Sequence, residues 1–190
     1  MRCIICEKIS LKIICRKCQR DYFVPVFNKR ELSKDFFVHS FYEYDLLKEL
    51  LNAKYQFYGD RIYNILGKLA FKKFGEEFEF PLIVDAIGVD DHVRHDFSHT
   101  AILTKHLKSH NIVPKYNLLK AQNIIKYAGK SLEFRKNNPR NFKYFGKKKK
   151  MVILVDDIVT TGSTLLEAKR CLEQNECEVL FALTLSDARF

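Results

Sequence analysis

The chain of 190 residues reads as an α/β protein, a parallel sheet flanked by helices. Short apolar runs at 81–87, 151–155 and 178–185 have the length and β-branched content of buried strands. Between them lie stretches with the 3.6-residue period of amphipathic helices. Strands alternating with helices predict a parallel sheet. At 47% hydrophobic residues, with only 7 Gly and 4 Pro, the chain can bury a substantial core, which excludes disordered and collagen-like classes. No apolar run approaches the roughly 20 residues of a membrane span. The opening residues lack the apolar stretch of a secretory signal, so the expectation is a soluble, cytoplasmic protein without membrane insertion.

Taken in order, residues 20–40 mix Tyr, Phe and Val with polar residues and predict short strands. Leu46, Leu47, Leu50 and Leu51 give a helix over 41–57, which Gly59 breaks. Ile62, Ile65, Leu66, Leu69 and Ala70 give a second helix ending near Gly75. A strand at 81–87 is followed by a helix over 97–110, with Ser98 as its N-cap. Residues 111–150 are the least regular, with a turn at Asn137-Asn138-Pro139. A strand at 151–155, a helix over 164–173 and a strand at 178–185 complete the pattern. The expected division is 1–40, a metal-binding element with short strands, and 41–190, the α/β domain with a basic insert at about 111–150.

Cys3-x-x-Cys6 and Cys15-x-x-Cys18 are two paired knuckles. Each pair can place two thiolates at one tight turn, and together they supply four sulfurs for a tetrahedral structural zinc. A disulfide framework is disfavoured by a reducing cytoplasm, and two pairs this close favour metal over a redox couple. Cys171 and Cys177 have no such partners and read as ordinary buried thiols.

The net charge of +10 is unevenly placed. Residues 105–150 hold 14 basic residues against one acid, Glu133, and residues 1–20 hold six against one. The remainder of the chain is therefore acidic. Six aromatics lie within the basic segment: Tyr116, Tyr127, Phe134, Phe142, Tyr144 and Phe145. Cations interleaved with aromatics suit a single-stranded nucleic acid, whose phosphates and bases they meet respectively. Arg135, Lys136, Arg140, Lys143, Lys147, Lys148, Lys149 and Lys150 are the candidate contacts. The 23 Lys to 10 Arg ratio also fits A+T-rich coding, and the four-lysine run can be a solvated lead-in to a strand, but neither accounts for the near absence of acids.

The sharpest pattern is Val152-Ile-Leu-Val-Asp156-Asp157-Ile-Val-Thr160-Thr161-Gly162-Ser163-Thr164. An apolar strand ends in two carboxylates, and a hydroxyl-rich loop opens a helix. Backbone N–H groups at such a helix start can cradle a phosphate, and Gly162 permits close approach. Carboxylates beside a phosphate nest suit a ligand that brings sugar hydroxyls with its phosphate.

This run resembles the phosphoribosyl pyrophosphate (PRPP) motif of type I phosphoribosyltransferases. The resemblance implies that Asp156 and Asp157 hold the ribose hydroxyls and that Thr160 to Thr164 bind the 5′-phosphate. Across nearly the whole chain, with the four cysteines, Tyr44 and the Lys54-Tyr55 pair before Gly59-Asp60, the sequence resembles the ComF family of competence proteins. That resemblance implies a zinc element on a phosphoribosyltransferase-like domain, PRPP with Mg²⁺, a role on single-stranded DNA in natural transformation, and recombination-mediator or helicase proteins as partners. The family's pyrophosphate stretch corresponds here to Val93-Arg94-His95-Asp96-Phe97-Ser98-His99, in which Arg94 and Phe97 fit and His95, Asp96 and His99 depart. Arg94 is therefore the one pyrophosphate contact carried over, and Arg135 and Asn138 loosely match a later part of the pattern. Thr160 stands where enzymes acting on 6-oxopurines carry an acid, which disfavours that subtype. A turnover reaction with an unidentified acceptor is the alternative. His92, His95, His99, His106 and His110 read as surface or ligand-loop residues rather than a second metal site. The aromatics between 36 and 58 read as core and hood rather than as a protein-contact surface.

Overall fold

The computed structural model describes residues 1–89, 97–123, 134 and 138–189. A short helix α1 (Arg16–Tyr22) follows the first cysteine pair. Strands β1 (Asn28–Ser33) and β2 (Phe36–Glu43) form a hairpin. Then come α2 (Tyr44–Leu51), a 3₁₀ turn (Asn52–Tyr55), α3 (Gly59–Leu69), α4 (Phe71–Glu77), β3 (Val84–Gly88), α5 (His99–His106) and β4 (Ile112–Lys115). A small ribbon of β5 (Leu119–Ala121) and β6 (Phe142–Tyr144) precedes β7 (Met151–Val159), α6 (Ser163–Gln174) and β8 (Glu178–Asp187).

The main sheet runs β1-β2-β8-β7-β3-β4, and among the described residues β5 pairs with β6 alone. Every neighbouring pair in the main sheet is parallel except the β1–β2 hairpin. Alternation along the central strands explains the two layers. Ile153, Val155, Leu183 and Leu185 face a core shared with Leu47, Ile62, Tyr63, Leu66 and Leu103 from α2, α3 and α5. Val152, Leu154 and Ala182 face the other way, against Leu165, Ala168 and Leu172 of α6. Burying both faces of the sheet is what makes β7 and β8 read as near-continuous apolar runs.

Several elements depart from the sequence expectation. The helix expected from residue 41 begins at Tyr44, because Phe41 and Tyr42 are 3% and 1% exposed within β2, which pairs with β8. Gly59 opens α3 instead of only ending its predecessor, since a Cβ there would lie 2.0 Å from the Ala53 carbonyl oxygen. The second helix is interrupted at Ala70, giving α3 and α4. Residues 112–115 form an unexpected strand, whose Pro114 is tolerated because β4 lies at the sheet edge. The strand carrying the acids runs on to Val159, and its partner β8 to Asp187. Ser98 caps α5 as expected, accepting from the Ala101 N–H at 3.1 Å.

Of the aromatics at 36–58, Phe36, Phe41 and Tyr42 are buried, while Phe57 and Tyr55 are exposed. Cys171 and Cys177 are buried. Among the described residues no helix is long and apolar enough to cross a membrane.

Candidate functional site

The four amino-terminal cysteines converge. Their sulfurs all lie within 4.8 Å of one another, with Cys3 and Cys18 buried and Cys6 and Cys15 half-buried. The Cys6 and Cys15 sulfurs are 3.8 Å apart. A tetrahedral zinc with Zn–S bonds of about 2.3 Å requires sulfur–sulfur distances of about 3.8 Å, so the donor set and the spacing fit zinc. Backbone N–H groups already point at these sulfurs, Cys15 N to Cys3 Sγ at 3.3 Å and Cys18 N to Cys15 Sγ at 3.4 Å. Burial works against ionisation of Cys3, but the N–H groups of Cys15 and Cys6 outweigh it and bring the thiol down to about 6. Burial, then hydrogen bonding to its neighbouring thiols, pushes Cys18 up to about 12. The element is not free-standing. Ile14 is fully buried, and Phe23 packs edge-on to Tyr42 of β2 with ring centroids 6.4 Å apart.

The second site lies at the carboxyl end of β7. Asp156, Ile158, Val159, the loop Thr160-Thr161-Gly162-Ser163, Thr164 and Leu165 line a concavity of about 20 Å³, the scale of a phosphate oxygen or a water rather than a whole nucleotide. Gly162 has φ +81°, and a Cβ on it would meet Leu32 Cδ2 at 2.7 Å. The left-handed turn at Gly162 starts α6 with no side-chain cap. The Ser163 N–H is met by Thr161 Oγ1 at 3.4 Å, and the first-turn N–H groups beside it have no helical partners. Thr161 Oγ1 and Ser163 Oγ are 3.1 Å apart and complete the lining. From outside, Arg30 of β1 braces the loop, its Nη2 donating to the Thr160 carbonyl at 2.9 Å and its Nε lying 2.7 Å from Asp187 Oδ2. Gly162→Ala is expected to cost about 1–3 kcal/mol of stability through the positive φ, read as a lower urea midpoint.

The two acids are not equivalent. Asp157 is 4% exposed. Its Oδ2 receives Lys54 Nζ at 2.8 Å and the Tyr63 hydroxyl at 3.1 Å, with His99 Nε2 at 3.8 Å. Burial alone would raise this carboxyl, but the charges of Lys54 and His99 hold it well below the usual carboxylate range. Asp156 is half-buried and accepts the Asp157 N–H on Oδ1 at 2.9 Å. Burial, then the adjacent Asp157 charge, pushes Asp156 up to about 8, with Arg140 and Lys54 opposing. One acid of the pair is thus paired and ionised, and the other holds its proton near neutrality.

His99, Asp156 and Asp157 bring their polar atoms within 4.8 Å of one another, and the cation already seated there is the Lys54 ammonium. His106 is engaged elsewhere, with its Nε2 3.1 Å from Asn64 Oδ1. The expected contacts Arg94, Arg135 and Lys136, together with His92 and His95, lie outside the described residues. Lys54, Tyr63 and Arg30 are the site residues that sequence reasoning did not assign. The Lys54-Tyr55 pair carries a signal only through the family resemblance, and Tyr63 and Arg30 leave none in the sequence.

The basic segment is partly visible. Lys120 and Lys143 stand directly opposite each other in the β5–β6 ribbon, and Lys143 lies over the exposed Phe145 ring at 5.3 Å. Lys147 to Lys150 are exposed, and Lys148 and Lys149 share one acid, Glu176, at 3.1 and 3.9 Å. Arg140 sits at the other end of the ribbon. Glu167 of α6 accepts its backbone N–H at 3.1 Å and that of Asn141 at 2.6 Å.

Residues 118–189 match the family model of the phosphoribosyl transferase domain. This segment holds β7, the loop and α6, so the α/β body is phosphoribosyltransferase-like where the candidate site lies. No curated protein matches the chain. Among solved structures, hypoxanthine phosphoribosyltransferase from Staphylococcus aureus is 15% identical, with TM-score 0.40, over 66% of this chain and 62% of that one. UMP synthase from Leishmania donovani is 17% identical, with TM-score 0.41, over 90% of this chain and 30% of that one. An adenine phosphoribosyltransferase is 14% identical, with TM-score 0.39, over 90% and 88%. The chain thus spans less than two thirds of the first two proteins.

Proposed function

We propose that this protein binds PRPP at the β7–α6 loop and single-stranded DNA along its basic segment, as a ComF-like competence protein of the cytoplasm. The observation that carries the first half is the strand–acid–loop–helix arrangement within the segment matching the phosphoribosyl transferase domain. The Thr160–Thr164 loop supplies N–H groups and hydroxyls for the 5′-phosphate, and Asp156 supplies an acceptor for ribose hydroxyls. Mg²⁺ brought with the ligand's pyrophosphate would offset its charge, and Arg94 is the side chain expected at that end.

Asp156→Asn is expected to abolish PRPP binding in calorimetry while stabilising the ligand-free protein near pH 8. The sign follows from linkage. The folded carboxyl keeps its proton up to about 8, whereas the unfolded one releases it near 4. Asp156 therefore opposes folding increasingly as pH rises through that window, and Asn removes the penalty. Undiminished PRPP binding by this variant would refute the assignment.

The DNA half is supported by Lys120 facing Lys143 across the ribbon, a like-charge pair that is unfavourable until an anion lies beside it. Exposed Phe145, with Lys143 over its ring, offers an aromatic and a cation side by side. Replacing Lys147, Lys148, Lys149 and Lys150 by Gln is expected to weaken oligodeoxynucleotide binding. It should also flatten the slope of log K against log salt by about 0.7 for each phosphate that is no longer neutralised. An unchanged slope would remove the run from the interface. Recombination-mediator and helicase proteins are the partners to test by pull-down. The match to a transferase domain also supports a second reading, turnover of PRPP onto an unidentified acceptor. Pyrophosphate release against a panel of bases, phosphates and nucleic acids distinguishes the two.

A further inference from the structure

PRPP joins two ends of unlike chemistry, a ribose with neutral hydroxyls and a pyrophosphate with several negative charges. The acids of β7 serve the hydroxyls, and residues 93–97, ahead of α5, are expected to serve the pyrophosphate. His99 adjoins both, one in space and one in sequence. It is the first residue of α5, just after that stretch, and its polar atom lies within 4.8 Å of those of Asp156 and Asp157.

We propose that His99 is a PRPP contact in its own right: as the imidazolium it donates to the pyrophosphate at its junction with the ribose, so that binding takes up a proton. This assignment rests on PRPP being the ligand of the site.

Packing fixes where the imidazole stands. α5 starts over the end of β3, where a Cβ on Gly88 would meet Thr100 Cβ at 3.1 Å. Ser98 caps the helix, and the His99 ring lies 5.6 Å from that of Tyr63, tilted by 57°. The side chain is 24% exposed, so a ligand can reach it. Its Nε2 is 3.8 Å from Asp157 Oδ2, too long for a hydrogen bond, and that oxygen already takes Lys54 and Tyr63. His99 is thus beside the acid pair without being tied to it by that approach.

Electrostatics give the sign. Asp156 and Asp157 of β7, Lys54 of the 3₁₀ turn and the Tyr63 hydroxyl of α3 surround the imidazole. The two carboxylates favour the imidazolium, and the Lys54 ammonium and the positive start of α5 oppose it. A bound pyrophosphate brings more negative charge than its Mg²⁺ offsets, so it raises the proton affinity of the ring. Histidine ordinarily titrates at about 6.5, which puts the effect within reach of neutral pH. PRPP should therefore bind more tightly as pH falls towards that range and more weakly as pH rises through it.

The test compares the full chain with His99→Gln, whose amide donates a hydrogen bond but does not titrate. Calorimetry follows Mg-PRPP and ribose 5-phosphate, which lacks the pyrophosphate, in buffers of different ionisation enthalpy. His99→Gln is expected to weaken PRPP about tenfold at about pH 6.5 and less than about threefold at about pH 8.5. Near neutrality it should take up about half a proton less on binding PRPP than the unaltered protein does. Ionisation of the ligand and of Asp156 is common to both proteins, so the difference reports His99. Ribose 5-phosphate should bind within about twofold of the unaltered protein, which shows that the variant is folded and its phosphate loop intact. An equal loss of ribose 5-phosphate and PRPP would make His99 a support for the ribose end and overturn the proposal. So would an unchanged pH dependence and proton count. Failure of the unaltered protein to bind either sugar phosphate would instead overturn the functional reading, and this assignment with it.

Discussion

Chelating the metal from the four-cysteine cluster is expected to unfold residues 1–23 while the six-stranded sheet stays folded. The element has too little core of its own. Ile13, Ile14, Cys3, Cys18 and Phe23 are its buried apolar side chains, and two of these five are cysteines. Apparent binding energies of structural zinc run to about 10–16 kcal/mol, far more than those few side chains supply. The measurements are metal content, expected at one zinc per chain, and hydrogen exchange before and after chelation. Cys15→Ser should reproduce the chelated state. Exchange protection should fall across α1 and persist in β7 and β8, with a partial decrease at Tyr42, which Phe23 covers. A protein that stays protected from Cys3 to Phe23 without metal would contradict the expectation.

Replacement of Arg30 by Met should cost about 3–5 kcal/mol, a large fraction of the 5–15 kcal/mol typical of a domain. Asp187 is 1% exposed, and Arg30 is the cation beside it, at 2.7 Å. Removing that cation strands a charge that burial has already stripped of water. The same substitution removes the Arg30 hydrogen bond to the Thr160 carbonyl, so the loop should loosen and PRPP binding weaken beyond what the drop in stability explains. Replacing both partners, Arg30→Met with Asp187→Leu, should recover much of the stability, because the cost lies in the stranded charge. It should not recover the loop, since neither apolar side chain can donate to that carbonyl. Denaturant unfolding of the three variants separates these effects.

The parallel sheet was legible because β3, β7 and β8 are buried on both faces and must be apolar throughout. The strand, acid pair and glycine loop of residues 152–164 were legible as a strand-to-helix connection, and they stand together at the end of β7. The cysteines were legible because a tetrahedral metal site needs four thiolates in two close pairs. β4 was not, since an edge strand of four residues with Pro114 carries no pattern. Nor was the end of β2, where Phe41 and Tyr42 lie between strand and helix periods and pairing with β8 decides. The partners of Asp157 were hidden for a topological reason. Lys54 and Tyr63 are brought to it by the packing of α3 on the sheet, over a sequence distance that no local motif spans. A sequence shows which side chains a reaction needs more readily than which neighbours keep them in place.

The pairing of β2 with β8 also sets a timetable. Val38 lies beside Ala182, and Ser40 beside Thr184, so the hairpin receives its other neighbour only after the described strands between them in sequence have left the ribosome. At about 5–20 residues per second that interval is on the order of ten seconds. Throughout it, the apolar side chains of the hairpin, Phe36 and Val38 on one face and Phe41 on the other, have no β8 to pack beside. The nascent chain must be kept from its neighbours for that time, and expression at lower temperature or with a holding chaperone should raise the soluble yield. Among the described strands, the one that follows all the others in sequence is the one that joins the hairpin to β7.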